Sequence, residues 1–345
     1  MRKAQFGKKP KGLRLDQIKA SPHYKSGQFQ NQSKTPTLAE GHSYPKIIYD
    51  NFIKRRPRRI PEQAIPSVRT NLLNLDPNED VLIWFGHSSY LMQIAGKFML
   101  VDPVFSGNAS PVPGTTKAFP GSNEYQVKDL PTIDYLFITH DHYDHLDYKT
   151  IRALQPKVKK VLCGLGVGAH FEHWGYKPET LVEKDWYSQV DLEPGFTVFF
   201  EPTRHFSGRS LYRNNTLWTS FVLQTPTHCL YLGGDSGYDN HYAAIGEKYP
   251  QIDLAILDNG QYNSAWKYIH NLPEDVLQAA KDLKAKRIFP VHSSKFALST
   301  HDWDEPLKRI TALTQAAGIA MISPKIGELV YLQHTDQTFE SWWVS

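Results

Sequence analysis

The chain has 345 residues, 40% of them hydrophobic and 21% charged, a composition that excludes intrinsic disorder and allows one large domain or two ordinary ones. No apolar run approaches the ~18 residues of a membrane span. The two cysteines, Cys163 and Cys229, are too few for a disulfide framework or a four-thiolate zinc site.

The basic start, Met1 to Arg14, lacks the apolar stretch of a secretory leader, so a soluble, cytoplasmic protein with reduced thiols is expected. The formal net charge of +4 is unevenly spread. Residues 1–70 hold 16 Lys and Arg against 4 Asp and Glu, and the remainder holds 23 against 31. Opposite fields attract, so the first expectation is a basic arm wrapped on an acidic body. A sharper one is that the run Lys54, Arg55, Arg56, Pro57, Arg58, Arg59 makes peripheral contact with anionic membrane. Phe6, Tyr24, Phe29, Tyr44, Tyr49 and Phe52 are too scattered for a base-stacking platform, which argues against nucleic acid.

Residues 1–78 are rich in Lys, Gln, Ser and Pro and read as an N-terminal extension. From residue 79 to 345 the texture is that of one domain. Short, β-branched apolar runs bounded by turn residues predict strands at 81–85, 90–94, 98–101, 135–138, 158–163, 197–201, 220–224, 228–232, 254–257, 287–291 and 320–322. Helices are predicted at 273–283, opened by Pro273 and two acids, and at 304–317, with Asp304 as cap and Gly318 as stop. Hairpin-like pairs early and strand–helix alternation later point to sheets covered by helices.

The chemistry concentrates after the strand at 135–138, where His140, His142, Asp144 and His145 form an H-x-H-x-D-H pattern. Imidazole and carboxylate without thiolate suit Zn2+, Mn2+ or Fe2+, with Zn2+ the first choice. Further ligands must come from downstream. His205, Asp235 and His292 each stand where a predicted strand ends and a loop begins, the place from which a rigid scaffold presents reactive groups. Two glycines before Asp235 permit close backbone approach. Gly164-x-Gly166-x-x-Ala169 meets a loose dinucleotide pattern, but without a well-placed acidic ribose partner it reads as a tight strand–helix turn. The aromatic tail with Phe339, Trp342 and Trp343 is expected to pack on the domain or on the partner subunit of a homodimer, with membrane contact as the alternative.

The order and spacing of these ligands resemble the metallo-β-lactamase superfamily, and within it the N-acyl-phosphatidylethanolamine-hydrolysing phospholipase D family with its bacterial RomA-like relatives. The resemblance also rests on Trp84-Phe85-Gly86-His87-Ser88-Ser89, Asp102-Pro103-Val104-Phe105-Ser106, Gly234-Asp235-Ser236-Gly237-Tyr238 and His270-x-x-Pro273-Glu274. It implies an α/β (α+β) fold, the αββα four-layer sandwich, with two divalent metal ions at one edge. By motif, His140, His142 and His205 would hold one ion, and Asp144, His145 and His292 the second, with Asp235 bridging. Two cations sharing Asp235 can share a water and bring its pKa down to about 7, giving the bridging hydroxide as nucleophile. Asp144 would orient that oxygen or take a proton, Asp102 would anchor a ligand histidine, and His87 and His270 would act behind the ligands or as leaving-group donors.

The function implied is a zinc-dependent phosphodiesterase of phospholipase D type. A lactonase or amide hydrolase acting on a small phosphorylated metabolite keeps the same site with another bond. Nucleic-acid processing is weakened because no large domain is inserted between Asp235 and His292. A non-catalytic or redox role is weakened because the first cluster lacks Glu and no flavin domain follows.

Overall fold

The computed structural model describes residues 4–50, 54, 57–112, 114–209 and 212–344. The predicted apolar runs form strands within one or two residues of their expected bounds. They assemble into two seven-stranded sheets. The first carries β3 (Val81–Trp84), β4 (Tyr90–Ile94), β5 (Lys97–Val101), β6 (Ile133–Ile138), β7 (Val158–Gly164), β8 (Leu181–Lys184) and β16 (Leu329–Tyr331), in the order β16-β3-β4-β5-β6-β7-β8. The second carries β9 (Gln189–Glu193), β10 (Phe196–Glu201), β11 (Ser220–Gln224), β12 (Cys229–Leu232), β13 (Leu254–Asp258), β14 (Arg287–Val291) and β15 (Ala320–Met321), in the order β15-β14-β13-β12-β11-β10-β9. A small hairpin, β1 (Tyr24–Lys25) with β2 (Gln28–Phe29), lies in the extension.

Each sheet is built in the same way. Antiparallel pairs come first (β3-β4-β5 and β9-β10-β11-β12), and parallel pairs follow (β5-β6-β7-β8 and β12-β13-β14-β15). Parallel strands need crossovers, and these supply the helices that cover the outer faces. Leu82 and Trp84 of β3 point into the cluster between the sheets, while Val81 and Ile83 point outward into the next layer, as a period of two requires. The outward layer of the first sheet meets Ile151 and Leu154 of α3 (Tyr148–Leu154) and Phe171 of α4 (Gly168–His173). The second sheet meets α5 (His241–Lys248), α6 (Pro273–Asp282) and α7 (Glu305–Ala317) through Ile245, Val276 and Ile310. The architecture is the expected αββα sandwich.

Two readings need adjustment. Gly318 ends α7 at φ 67°, as expected, but the Asp304 carboxylate makes no cap bond. It is held by Arg58 at 2.6 Å and by Lys308 instead. β8 and β9 went unpredicted because they carry charge and are only half-buried, and β16 because it is three residues long. The aromatic tail packs on the domain, as expected, and not on a membrane. Trp342 and Trp343 are buried in the inter-sheet core, and Trp342 Nε1 donates to the carbonyls of Ser323 and Pro324 at 3.2 Å.

The extension, with α1 (Leu13–Ala20) and α2 (Tyr44–Ile48), lies against the body. Arg14 pairs with Glu172 and Glu183 at 2.8 and 2.6 Å, and Arg69 with Asp129 at 2.9 Å. In the basic run, Arg58 pairs with Asp302 and Asp304, and Arg59 donates to the Ala297 carbonyl. Arg55, Arg56 and also Phe52 lie outside the described residues. The Gly164–Ala169 turn is closed to a phosphate, because Glu183 Oε1 accepts from the N–H groups of Gly166 and Gly168 at 2.8 and 3.0 Å.

Candidate metal centre

Every candidate residue stands at the same edge of the sandwich, where strands of both sheets end. His87 follows β3, Asp102 follows β5, and the turn from Thr139 to Asp147 follows β6. From the second sheet, His205 follows β10, Asp235 follows β12, Asp258 ends β13 and His292 follows β14. Gly234, at φ 62°, lets the Asp235 loop close on that turn, since a Cβ there would sit 2.7 Å from the Thr139 side chain. His87, Asp102 and His292 have φ of 54°, 41° and 69°. Left-handed backbone at three non-glycine residues is strain that the surrounding packing must hold, and it collects at functional sites.

Hydrogen bonds fix where the imidazole lone pairs point. Thr139 Oγ1 donates to Asp102 at 2.6 Å, so it accepts from Nδ1 of His140 at 3.0 Å and leaves Nε2 of His140 unprotonated. His205 donates through Nδ1 to the Ile269 carbonyl at 2.8 Å, with the same result. Both Nε2 atoms then face Nδ1 of His142, at 2.8 and 3.2 Å, and Asp235 Oδ2 lies 3.7 and 3.6 Å from them. Two lone pairs aimed at one point beside a carboxylate call for a cation.

A second group adjoins the first. His145 donates through Nδ1 to Asp102 Oδ2 at 2.8 Å, and its Nε2 lies 3.2 Å from Asp235 Oδ1 and 3.5 Å from Asp144 Oδ2. Both His145 Nε2 and Asp235 Oδ1 are buried without a hydrogen-bond partner. His292, bonded through Nδ1 to Asp258 at 3.1 Å, brings Nε2 to 3.4 Å from Asp144 and 3.3 Å from Asp235. His87 Nε2 also joins this group, 2.9 Å from Asp144 Oδ2. The Asp235 carboxylate stands between the two groups, and the donor set of nitrogen and oxygen fits a pair of divalent ions.

The electrostatics agree. Burial, reinforced by neighbouring imidazoles, lowers His140 and His205 well below the usual histidine range; burial also brings His142 down to about 4 and His87 to about 3. These rings are neutral, the form that binds metal. Burial would raise Asp144 and Asp235, but adjacent imidazoles outweigh it and hold both well below the carboxylate range. Burial opposes charge on His145 and His292 too, yet the carboxylates prevail, raising His145 well above its usual range and His292 to about 10. A metal ion bound by these rings would compete with protons for them.

Sequence reasoning missed three supporting residues. Asp258 receives hydrogen bonds from Nδ1 of both His270 and His292, at 2.8 and 3.1 Å. Its one signal was its place at a strand end. Buried Arg209 donates to the carbonyls of Asp141 and Leu146 at 2.9 and 2.6 Å, bracing the Thr139–Asp147 turn. Buried Asp141 accepts from His170, Thr216 and the Gly208 N–H. Neither Arg209 nor Asp141 carries a motif. His87 sits closer to the ions' place than expected, and with its ring fully buried it cannot reach a leaving group.

A cleft of about 900 Å³ opens over both groups, with His142, Asp144, His205, Asp235, His270 and His292 on its floor. A family profile described as "Beta-lactamase superfamily domain" matches residues 98–293, which run from β5 to just past His292. The chain belongs to the metallo-β-lactamase superfamily. By family it is a metal-dependent hydrolase. An uncharacterized protein of Mycobacterium tuberculosis (strain ATCC 25618 / H37Rv) is 36% identical over 90% of this chain and 84% of its own length. The N-acyl-phosphatidylethanolamine-hydrolyzing phospholipase D 1 of Caenorhabditis elegans is 28% identical, covering 68% of this chain and 69% of that one. Among solved structures, Igni18, a metallo hydrolase from the archaeon Ignicoccus hospitalis KIN4/I, superposes with a TM-score of 0.55 at 22% identity. That match covers 73% of this chain and 98% of Igni18, and it supports the superfamily fold.

Proposed function

We propose that the chain is a dinuclear, zinc-dependent phosphodiesterase of phospholipase D type acting on an N-acylated phospholipid. The observation that carries this reading is the cleft. Its floor holds the His/Asp groups, and its walls include Leu38, Phe206, Trp266, Ile269 and Leu298, with the exposed cations Lys34 and Arg213 also lining it. Apolar walls beside a cationic rim suit a ligand with acyl chains and a phosphate, and the volume lies at the upper end for small-ligand sites. The similarity to the nematode phospholipase D supports the same class.

His140, His142, His205 and Asp235 would hold one ion, and Asp144, His145 and His292, with His87 beside them, the other. When bound, the ions supply positive charge that acidifies water and offsets charge on the phosphoryl oxygens. Asp144, which lines the cleft, accepts the proton that the attacking water loses. His270, tethered through Nδ1 to Asp258, delivers a proton to the leaving oxygen. Water oxygen bonds to phosphorus, the bond from phosphorus to the leaving oxygen breaks, and a phosphomonoester and an alcohol result. A soluble, cytoplasmic enzyme that meets membranes only peripherally belongs to the same proposal.

The test is turnover of N-acyl-phosphatidylethanolamine vesicles, bis(p-nitrophenyl) phosphate and a lactone panel by the zinc-loaded protein. Release of N-acylethanolamine with phosphatidic acid is expected. Rapid lactone opening with no phosphodiester cleavage would overturn the phosphodiesterase reading and favour the lactonase one.

A further inference from the structure

The family profile begins at residue 98, yet the extension reaches the metal centre. Asn31 forms a two-point clamp on the backbone of His205: its Nδ2 donates to the His205 carbonyl at 2.7 Å, and its Oδ1 accepts the His205 N–H at 3.1 Å. An amide side chain that satisfies both backbone groups of one residue fixes the position of that residue's Cα and, with the Nδ1 bond to Ile269, the direction of its ring.

The neighbouring residue returns the hold. Arg204 Nη2 donates to the Lys34 carbonyl at 2.7 Å, Nε to Thr35 Oγ1 at 3.0 Å and Nη1 to the Tyr238 carbonyl at 3.1 Å, and its guanidinium lies 4.5 Å from the Tyr268 ring centroid. The segment that carries Asn31 is thus tied, at Lys34 and Thr35, to the residue next to the one Asn31 grips. Four bonds tie residues 31–35 to Arg204 and His205, and a fifth joins Arg204 to Tyr238 beyond Asp235. Elsewhere the Lys8 N–H donates to His170 Nδ1 at 3.0 Å, and His170 Nε2 meets Asp141 Oδ2, between His140 and His142 in sequence. The extension therefore contacts the His205 segment directly and the turn of His140 and His142 through His170.

We propose that Asn31 is a positioning residue of the metal centre, acting through His205, and that Arg204 anchors the segment that presents Asn31. The extension is then part of the ion site formed by His140, His142, His205 and Asp235, and not a separate arm. This rests on the proposed dinuclear reading. The second group, which Asn31 does not touch, should be indifferent to it.

The test uses the full chain with its metals removed by chelation, titrated with Zn2+ alone by calorimetry, beside thermal melting and turnover of bis(p-nitrophenyl) phosphate. Loss of a partner behind a ligand weakens metal binding by about 10–100-fold. Asn31→Ala is expected to weaken one of two Zn2+ equivalents by that factor and leave the other unchanged, with kcat falling in parallel. Arg204→Ala should show the same one-site loss to a smaller degree, and the double variant should lose little more than Asn31→Ala alone. Lys25→Ala, an exposed side chain on the same segment, serves as the unchanged control. Two wild-type Zn2+ affinities in Asn31→Ala would overturn the proposal. So would equal weakening of both sites together with a large fall in melting temperature, which would make Asn31 merely structural. A wild-type chain that takes up no Zn2+ would instead defeat the dinuclear reading itself.

Discussion

The two sheets contribute to one site in different ways. The first half sends His140, His142, Asp144 and His145 from a single turn after β6, and His87 and Asp102 complete it from two neighbouring strand ends. The second half sends His205, Asp235, Asp258 and His292 from four separate strand ends, one residue each. Local geometry alone can set the spacing within the turn. The scattered set depends on the whole second sheet being in register, and on partners such as Asn31 and Ile269 from outside it. The difference teaches that the ligands of the first sheet are a local feature, whereas Asp235, which serves both groups, is a product of tertiary structure.

That comparison can be broken most sharply at the shared carboxylate. Asp235→Asn removes charge from both groups at once, so turnover of bis(p-nitrophenyl) phosphate should fall by roughly a thousandfold or more, with metal content falling at both sites by plasma mass spectrometry. His142→Ala, confined to one group, should abolish turnover while sparing one ion. Equal metal retention in both variants would contradict the division into two groups. A smaller effect is expected at His270, which the account uses only for proton delivery. His270→Ala should lower kcat by about a hundredfold on a poor leaving group and much less on p-nitrophenolate, which departs without a proton. On the cleft wall, Leu38→Ala should raise KM for a long-acyl substrate roughly tenfold and leave that for bis(p-nitrophenyl) phosphate unchanged.

Lys295 sharpens the comparison through stability. Its ammonium is fully buried behind the site, donating to the carbonyls of Phe85 and Val104 at 2.8 and 3.0 Å, and burial brings its pKa from 10.5 to about 7. Between pH 7 and 10.5 the unfolded chain binds a proton that the folded chain does not, so stability should rise with pH across this window. Below pH 7 both states carry the proton and the contribution is flat. Lys295→Met should remove the rise, as read from urea midpoints at pH 7 and 9.5. The smallest effect is expected at Arg58, whose pairs with Asp302 and Asp304 are solvent-exposed on the arginine side. Arg58→Ala should leave turnover unchanged and melting nearly so.

Much of the fold was legible because its core strands are short apolar runs whose two faces are both buried, as in Val81–Trp84 and Leu254–Asp258. The edge strands β8 and β9 carry charge and are only half-buried, so composition hid them. In the site, the residues with metal-ligating chemistry could be read from the sequence, since His and Asp at strand ends are informative once a dense cluster exists. Their supports could not. Asn31 lies 174 positions from His205, and no local pattern relates the two. Asp258 and Arg209 act through hydrogen bonds to groups that only folding brings near. The extension's charge announced attachment to the body, whereas its contact with His205 uses a neutral amide that charge counting passes over.

The claim on which all of this depends is that seven side chains from two sheets hold two divalent ions. Metal analysis of the purified wild-type chain beside Asp235→Asn, with hydrolysis measured on the same samples, tests it most directly. Close to two ions per chain and chelator-sensitive turnover are expected in the wild type, and loss of both in the variant. A wild-type chain that hydrolyses its substrate at full rate with no bound transition metal would contradict it.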